Sequence, residues 1–395
     1  MREVNRSLVL TLVKEGGPVS RASIARSSTL AKPTVSAIVD ELIAEGLVRE
    51  IGPGSTATSG GRPPILLEFN ARSQLVIGAH IGARRTTIAV SDAAGEEVTR
   101  RQLPTPRGSA EEALATVAAE AVTAVAESAI RGARLAAVGA VLPGLTDFHS
   151  GVCLLAPNLG WRDVPVRDLL ADALDAPVYV HNAGQAAAVA ENLEGAGGQV
   201  GDLALLYAGT GLSAGVLSGG RVLHGAGGLA GEIGHNAVPG NEEPCNCGKV
   251  GCLETVASGP AIVRAAGRAL ASGATSTLGG LAELDARDVA AAARAGDALA
   301  ARVIAEVGEH LGLAASWLIN AYNPAVVVLG GGLSAIGEPL LGPLRAAAAR
   351  HALAPALRGV EIRASMLGPD AEVRGAVLLA LQHSETYYRV VFVTR

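Results

Sequence analysis

The sequence predicts an α/β protein whose body of alternating strands and helices is preceded by a winged helix-turn-helix head. Three observations carry this. Residues 5–46 read as three short helices followed by a hairpin. From Gln74 onward, strand-like runs alternate with helical ones, the pattern of an α/β body. Hydrophobic residues make up 49% of the chain but aromatics only 3%, so its cores must be built from Ala, Val, Leu and Ile. At 395 residues the chain is long enough for two or three domains with sizeable cores.

In the head, Asn5–Lys14 is amphipathic, with Leu8, Val9 and Leu12 at helical spacing, and Gly16-Gly17-Pro18 ends it. Ser20 is a good N-cap for a second helix, Arg21–Ser27, which gives Ile24 and Ala25 to a core. A third helix, Lys32–Glu45, has Pro33 in its first turn, where a missing N–H costs nothing. Val35, Ile38, Val39, Leu42 and Ile43 make one buried face, and Gly46 ends the helix. Ala31, just before it, supplies no side-chain cap. The exposed early face is Lys32, Thr34, Ser36 and Ala37, small enough to sit close to base edges in a major groove. Strands Leu47–Ile51 and Ile65–Phe69 form the wing. Its tip carries Arg62 between Gly and Pro, extended and suited to a narrow minor groove. Taken alone, the buried stripe would also fit a three-helix protein-interaction domain.

In the body, LVIGAHIG and TTIAVSD read as a strand pair, Ala110–Ile130 as a long helix, and LAAVGAVLPGLTD as a strand entering a loop. VYVHN is a short strand followed by a helix, Ala186–Asn192. DLALLYAGTGLSAGVLSGG is a hairpin with a glycine-rich turn. Helices then run to about Asn320, before the buried strand AVVVLGGGLS. Glycine loops at 80–85, 209–215 and 330–334 could each cradle a phosphate, though singly such loops are common.

The longest apolar runs are broken well short of a membrane span, and MREVNRSLVL lacks a signal-peptide pattern. A soluble cytoplasmic protein is expected, where reduced thiols suit metal binding better than disulfides. Net charge is −5, unevenly placed: residues 1–64 carry 8 Lys/Arg against 6 Asp/Glu, the remainder 24 against 31. A mildly basic head on an acidic body is compatible with a nucleic-acid partner.

The stretch Gly231–Glu254, GEIGHNAVPGNEEPCNCGKVGCLE, holds Cys245, Cys247 and Cys252 with His235 upstream. Thiolates and imidazole are the ligands zinc prefers, and four of them close a tetrahedral structural site. Incidental cysteines rarely gather within eight positions of so cysteine-poor a chain. Cys153, alone in an apolar run, reads as a small core residue.

GEIGH followed by CxCGxxGCLE resembles the signature of the ROK family, which groups sugar kinases with transcriptional repressors. KPTVSAIVDELIAEGLV followed by SGGRPP resembles the head of the family's repressors, which its kinases generally lack. The resemblance extends from Asn5 to about Leu381. It implies an actin-like (ribonuclease-H-like) two-lobed sugar-kinase fold with a ligand cleft. The head would span 1–70, the first lobe 71–182 plus a C-terminal helix near 366–383, the second lobe with its zinc site 183–365, and a tail 384–395.

The resemblance also implies that Asn158, Asn182, Glu232, His235 and Glu254 hold sugar hydroxyls, which need paired donors and acceptors. His235 would then serve both zinc and ligand. The match fails where phosphoryl transfer would occur. His80 replaces the Asp of the kinases' first phosphate loop, Arg84 its Thr, and Ala183 the Asp that serves as catalytic base. Imidazole is a poor partner for a hard Mg²⁺ assembly, and alanine cannot accept a proton. No catalytic residue is therefore expected. The resemblance implies a DNA-binding regulator, a repressor, of carbohydrate-related genes. It would sense a sugar or sugar phosphate, bind a palindromic operator and act as a homodimer or homotetramer. The alternatives are an ATP-dependent sugar kinase with a regulatory head, and a zinc-stapled scaffold without ligand.

Overall fold

The computed structural model describes residues 2–55 and 63–384. Arg62 at the wing tip and the tail from 385 lie outside the described residues. By backbone contacts the chain divides into two units. One holds the described residues up to Ala140, Arg167–Tyr179 and the last helix from Ala376; the other holds Val141–Val166 and Val180–Gly375.

The first unit begins with α1 (Arg2–Glu15), the two-residue strand β1 (Val19–Ser20), α2 (Arg21–Ser28) and α3 (Lys32–Ala44). The wing strands β2 (Val48–Pro53) and β3 (Ile65–Phe69) follow, in a sheet ordered β1-β3-β2. Ser20 caps α2, its hydroxyl accepting from Ser23 N at 3.1 Å. Ala31 makes no side-chain cap on α3, as its chemistry requires. Val9, Val13, Ile24, Val35, Val39, Leu42, Leu47 and Leu67 are buried together as the head's own core.

The body opens with β4 (Gln74–Ile81), β5 (Arg85–Asp92) and β6 (Glu97–Pro104), an antiparallel meander, then α4 (Ala110–Glu127) and β7 (Arg134–Leu142). Ser109 and Glu112 form a reciprocal capping box that starts α4. Next come β8 (Leu145–Asp147), β9 (Val152–Ala156) and β10 (Trp161–Val164), a small antiparallel sheet, and then α5 (Val166–Leu174) and β11 (Val178–Asn182). The first body sheet is ordered β11-β7-β4-β5-β6.

The second unit continues with α6 (Ala183–Glu194), β12 (Leu203–Ala208), β13 (Leu212–Ser218) and β14 (Arg221–Val222). After the cysteine loop come α7 (Gly259–Ala271), α8 (Ala286–Arg294), α9 (Ala298–Tyr322), β15 (Val326–Gly330) and α10 (Glu338–His351). The chain closes with α11 (Ala354–Leu357), β16 (Glu361–Ala364) and α12 (Ala371–His383). Its sheet, β14-β13-β12-β15-β16, is mixed: β15 runs parallel to both neighbours, the rest are antiparallel. Every residue of β15, VVVLG, is buried, as a strand covered on both faces should be.

By backbone contacts the head groups with the first body sheet, and Lys14 and the Asn70–Ser73 connector bond to both. Residues 141–166 group with the second unit. Their β8 turn packs on the loop at Gly228, where a Cβ would come within 2.6 Å of Phe148 N. The helix after β11 starts at Ala183, not Ala186, because Asn182 caps it. The strands β1 and β6 were not anticipated.

Candidate functional site

Lys32, Thr34 and Ala37 are exposed on the first turns of α3 and Ser36 is half-buried. Most of the head's arginines are engaged internally. Arg2 pairs with Glu41, Arg6 with Glu45, Arg21 with Asp40 and Glu50, and Arg49 with Glu68. Arg21 also donates to Ser36 O. Among the described residues neither Lys32 nor the exposed Arg26 of α2 is given a carboxylate partner.

The cysteine loop lies between β14 and α7. Isolated bridges pair Ala237 with Cys252 and Pro244 with Val250, folding the loop back on itself. Cys245 N donates to Lys249 O at 2.8 Å and Gly248 N to Cys245 O at 3.0 Å, a tight knuckle that aims the thiols inward. His235 arrives from the turn Ile233–His235. The ligand atoms of His235, Cys245, Cys247 and Cys252 all lie within 4.8 Å of one another. Cys247 and Cys252 sulfurs stand 3.6 Å apart, and Cys245 Sγ is 3.8 Å from His235 Nδ1. A tetrahedral ion with 2.3 Å bonds to sulfur requires about 3.8 Å between sulfurs, so the four groups fit a metal of zinc's size. Burial, and then the neighbouring thiols, push Cys252 up to about 12. A bound cation would supply the charge that a thiolate there needs. Cys153, fully buried in β9 with its thiol pushed up to about 11 by burial, takes no part.

Four of the five expected polyol contacts gather around this loop. Asn182 Nδ2 donates to Gly144 O at 2.8 Å and to Glu232 Oε1 at 3.3 Å, while its Oδ1 accepts from Gly184 N at 2.7 Å. One amide thus caps α6 and holds a site carboxylate. Glu254 Oε2 accepts from Leu212 N at 3.0 Å, and its Oε1 lies 3.9 Å from Cys245 Sγ. His235 Nδ1 faces the thiols, which leaves Nε2 for a ligand. Burial first, and then the nearby Glu254, raise the Glu232 carboxyl to about 7. At neutral pH it can therefore donate as well as accept, which suits a hydroxyl partner. Asn158 is exposed on the turn after β9, and among the described residues it makes no hydrogen bond to the other four.

The glycine loops are built as backbone turns. In the hairpin between β12 and β13, Gly209 N donates to Gly211 O at 2.9 Å and Gly259 N to Gly209 O at 2.8 Å. Gly211 has no room for a side chain, since a Cβ would meet Glu254 Oε2 at 2.7 Å. The Gly82–Arg85 turn closes by Gly82 N to Arg85 O at 3.0 Å, and Thr105 Oγ1 donates to Gly82 O at 2.7 Å. His80 is half-buried at the end of β4, and Arg84 is exposed. Ala183 is the first residue of α6 and 5% exposed, so its methyl group sits immediately beside Asn182. No helix among the described residues is long and apolar enough to cross a membrane.

Comparison with known proteins places these features together. Residues 76–383 match the ROK family model. The xylose repressor of Caldicellulosiruptor bescii is 31% identical over 385 residues, covering 96% of both chains. A glucokinase of Halalkalibacterium halodurans is 36% identical over 318 residues, but spans only 78% of this chain and 96% of its own. Among solved structures, a ROK family transcriptional regulator homologous to the Escherichia coli Mlc protein superposes with a TM-score of 0.84. It shows 30% identity and covers 96% of each chain.

Proposed function

The chain belongs to the ROK family, and from that premise we propose that it is a DNA-binding transcriptional repressor of carbohydrate-related genes. Its kinase-like body senses a sugar or sugar phosphate instead of phosphorylating it. The observation that carries this reading is coverage. The repressor relative and the regulator structure each cover 96% of this chain, head included, whereas the glucokinase covers 78% of it.

In this reading α3 enters the major groove with Lys32, Thr34, Ser36 and Ala37 toward the bases, and Arg62 reaches the minor groove. Arg26 adds a phosphate contact. The effector is held by Asn182, Glu232, His235 and Glu254, with Asn158 joining from its turn. A zinc ion on His235, Cys245, Cys247 and Cys252 cross-links the Ile233–His235 turn to the cysteine knuckle when bound. Through His235 and Glu254 that cross-link fixes two polyol contacts. Effector binding shifts DNA affinity only by its differential affinity for the DNA-competent and DNA-incompetent states. A two-fold operator and a homodimer or homotetramer accompany this mode of binding.

Ala183 offers no proton acceptor beside the polyol contacts, and His80 offers no carboxylate to a metal–phosphate group. Both support sensing over catalysis. The specific observation on the other side is the 36% identity to a glucokinase. An ADP-release assay over a hexose panel separates the two: the kinase reading requires turnover that Asn182→Ala and Glu232→Ala abolish.

The test of the main reading is a fluorescence titration of duplexes selected from random sequence, at several salt concentrations. Lys32→Ala should weaken binding and relax sequence preference, and Arg26→Ala should weaken binding to every duplex and reduce the salt slope by about 1. Absence of any selected duplex at physiological salt overturns the reading.

A further inference from the structure

The joint between the head and the first body sheet is built around one residue, Ala93, in the turn between β5 and β6. Its N–H donates to Ala71 O in the connector at 3.0 Å, and its carbonyl accepts from Lys14 Nζ of α1 at 3.1 Å. Ala93 is 1% exposed. The Lys14 amine also stands 5.2 Å from the centre of the Phe69 ring, the last residue of the wing. One body residue is thereby tied, through its two backbone groups, to a head helix and to the connector at once.

Both sides of this joint are stiff. In the turn, Asp92 Oδ1 accepts from Ala94 N at 2.9 Å and Glu96 N at 3.1 Å, and Asp92 N donates to Glu96 O at 3.0 Å. In the connector, Asn70 N donates to Leu47 O at 2.8 Å, its Nδ2 donates to Gly46 O at 2.9 Å, and its carbonyl accepts from Ser73 N at 3.1 Å and Ser73 Oγ at 2.8 Å. A lysine that merely packed its stem would leave its amine in water. Here burial lowers the pKa of Lys14, with Asp92 and Glu15 opposing, so the amine has given up solvent for this contact.

We propose that Lys14 is a positioning residue that latches α1 onto Ala93, so that the DNA-reading helix and the first body sheet are carried as one piece with no hinge at residues 70–73. The DNA-related half of this rests on the repressor reading; the latch itself does not. The same turn meets the last helix, since a Cβ on Gly95 would lie 3.3 Å from Leu381.

The test is hydrogen exchange by mass spectrometry on the full chain. Lys14→Met keeps the stem and the Phe69 packing but removes the amine. It should raise exchange about tenfold in peptides covering 70–73 and 92–96, the equivalent of one lost hydrogen bond. The α3 core at 35–42 should be unchanged, and Lys14→Arg should restore most of the protection. If Lys14→Met does not fold, Phe69→Leu should produce the same local rise by removing the ring under the amine. Unchanged exchange in both joint peptides, or an equal rise in Arg2→Ala, whose ion pair with Glu41 lies at the other end of α1, overturns the latch. Because exchange is read without DNA, failure of the repressor reading and failure of the latch are separate results.

Discussion

Asn182 shows how one side chain can set a site. Its amide oxygen caps α6 while its amide nitrogen bonds Gly144 O and Glu232. The motif resemblance marked Asn182 and Glu232 as polyol contacts, but nothing in the sequence indicated that they bond each other or that Gly144 O completes the set. Glu232 carries a testable consequence. Its carboxyl is raised to about 7, first by burial and then by Glu254, whereas an ordinary glutamate titrates near 4.5. Between those values the folded chain keeps a proton that the unfolded chain has released. Stability therefore falls as pH rises through that window and levels off above it. Glu232→Gln keeps the oxygen that accepts from Asn182 and removes the titration. It should flatten this slope and be more stable than the parent at pH 8, by something on the order of 1–3 kcal/mol. Urea unfolding at pH 5, 6, 7 and 8 measures both; parallel curves for the two proteins would contradict the burial of an ionisable Glu232.

At the scale of elements, legibility followed the clarity of the local signal. The helices of the head, the wing strands and the buried strand β15 were readable because period, cap or unbroken apolar run agreed with the final packing. Strand β6 was not, because EVTRRQLP has no alternation. Its arginines are satisfied by ion pairs instead, Arg100 with Glu97 and Arg101 with Glu120 and Glu127 on α4. Two-residue β1 is a strand by virtue of its pairing with β3, a long-range contact invisible in a local window. The α6 boundary shifted because Ala183-Gly184 looks like a poor helix start until Asn182 is recognised as its cap. Capping also supplies a prediction for α3. Ala31 has the extended backbone of an N-cap, φ −64° and ψ 141°, and its carbonyl already accepts from Val35 N at 3.1 Å. Only the side-chain oxygen is missing. Ala31→Ser should stabilise the head by about 0.5–1 kcal/mol, read as slower exchange at the Thr34 amide. No change there would mean that water already serves that amide as well as a hydroxyl would.

Across the whole molecule, the cysteine loop connects a feature plain in the sequence to a consequence that only the fold reveals. The spacing of Cys245, Cys247 and Cys252 announced a metal site, but not that Glu254, two residues after the last thiol, would hold the turn of the β12–β13 hairpin through Leu212 N. That turn is the second glycine loop, and Gly211 leaves the space the carboxylate occupies. The loop's backbone is bonded to itself by Val238 N to Gly251 O, Gly251 N to Glu243 O and Leu253 N to Asn236 O, each at 2.9 Å. A metal on the four ligand groups would add a further cross-link to these bonds. Metal analysis should give about one zinc per chain. Removal by a strong chelator should lower the melting temperature and increase exchange across residues 236–254 and at the Leu212 amide. The head core around Val35–Leu42 should keep its protection, because it is a separate buried cluster. Cys247→Ser should reproduce the pattern without chelator, by removing one ligand from the partly exposed side of the site. A chain that contains no zinc, or that loses it with the Leu212 amide still protected, would show that hydrogen bonds alone hold Glu254 and His235 in place.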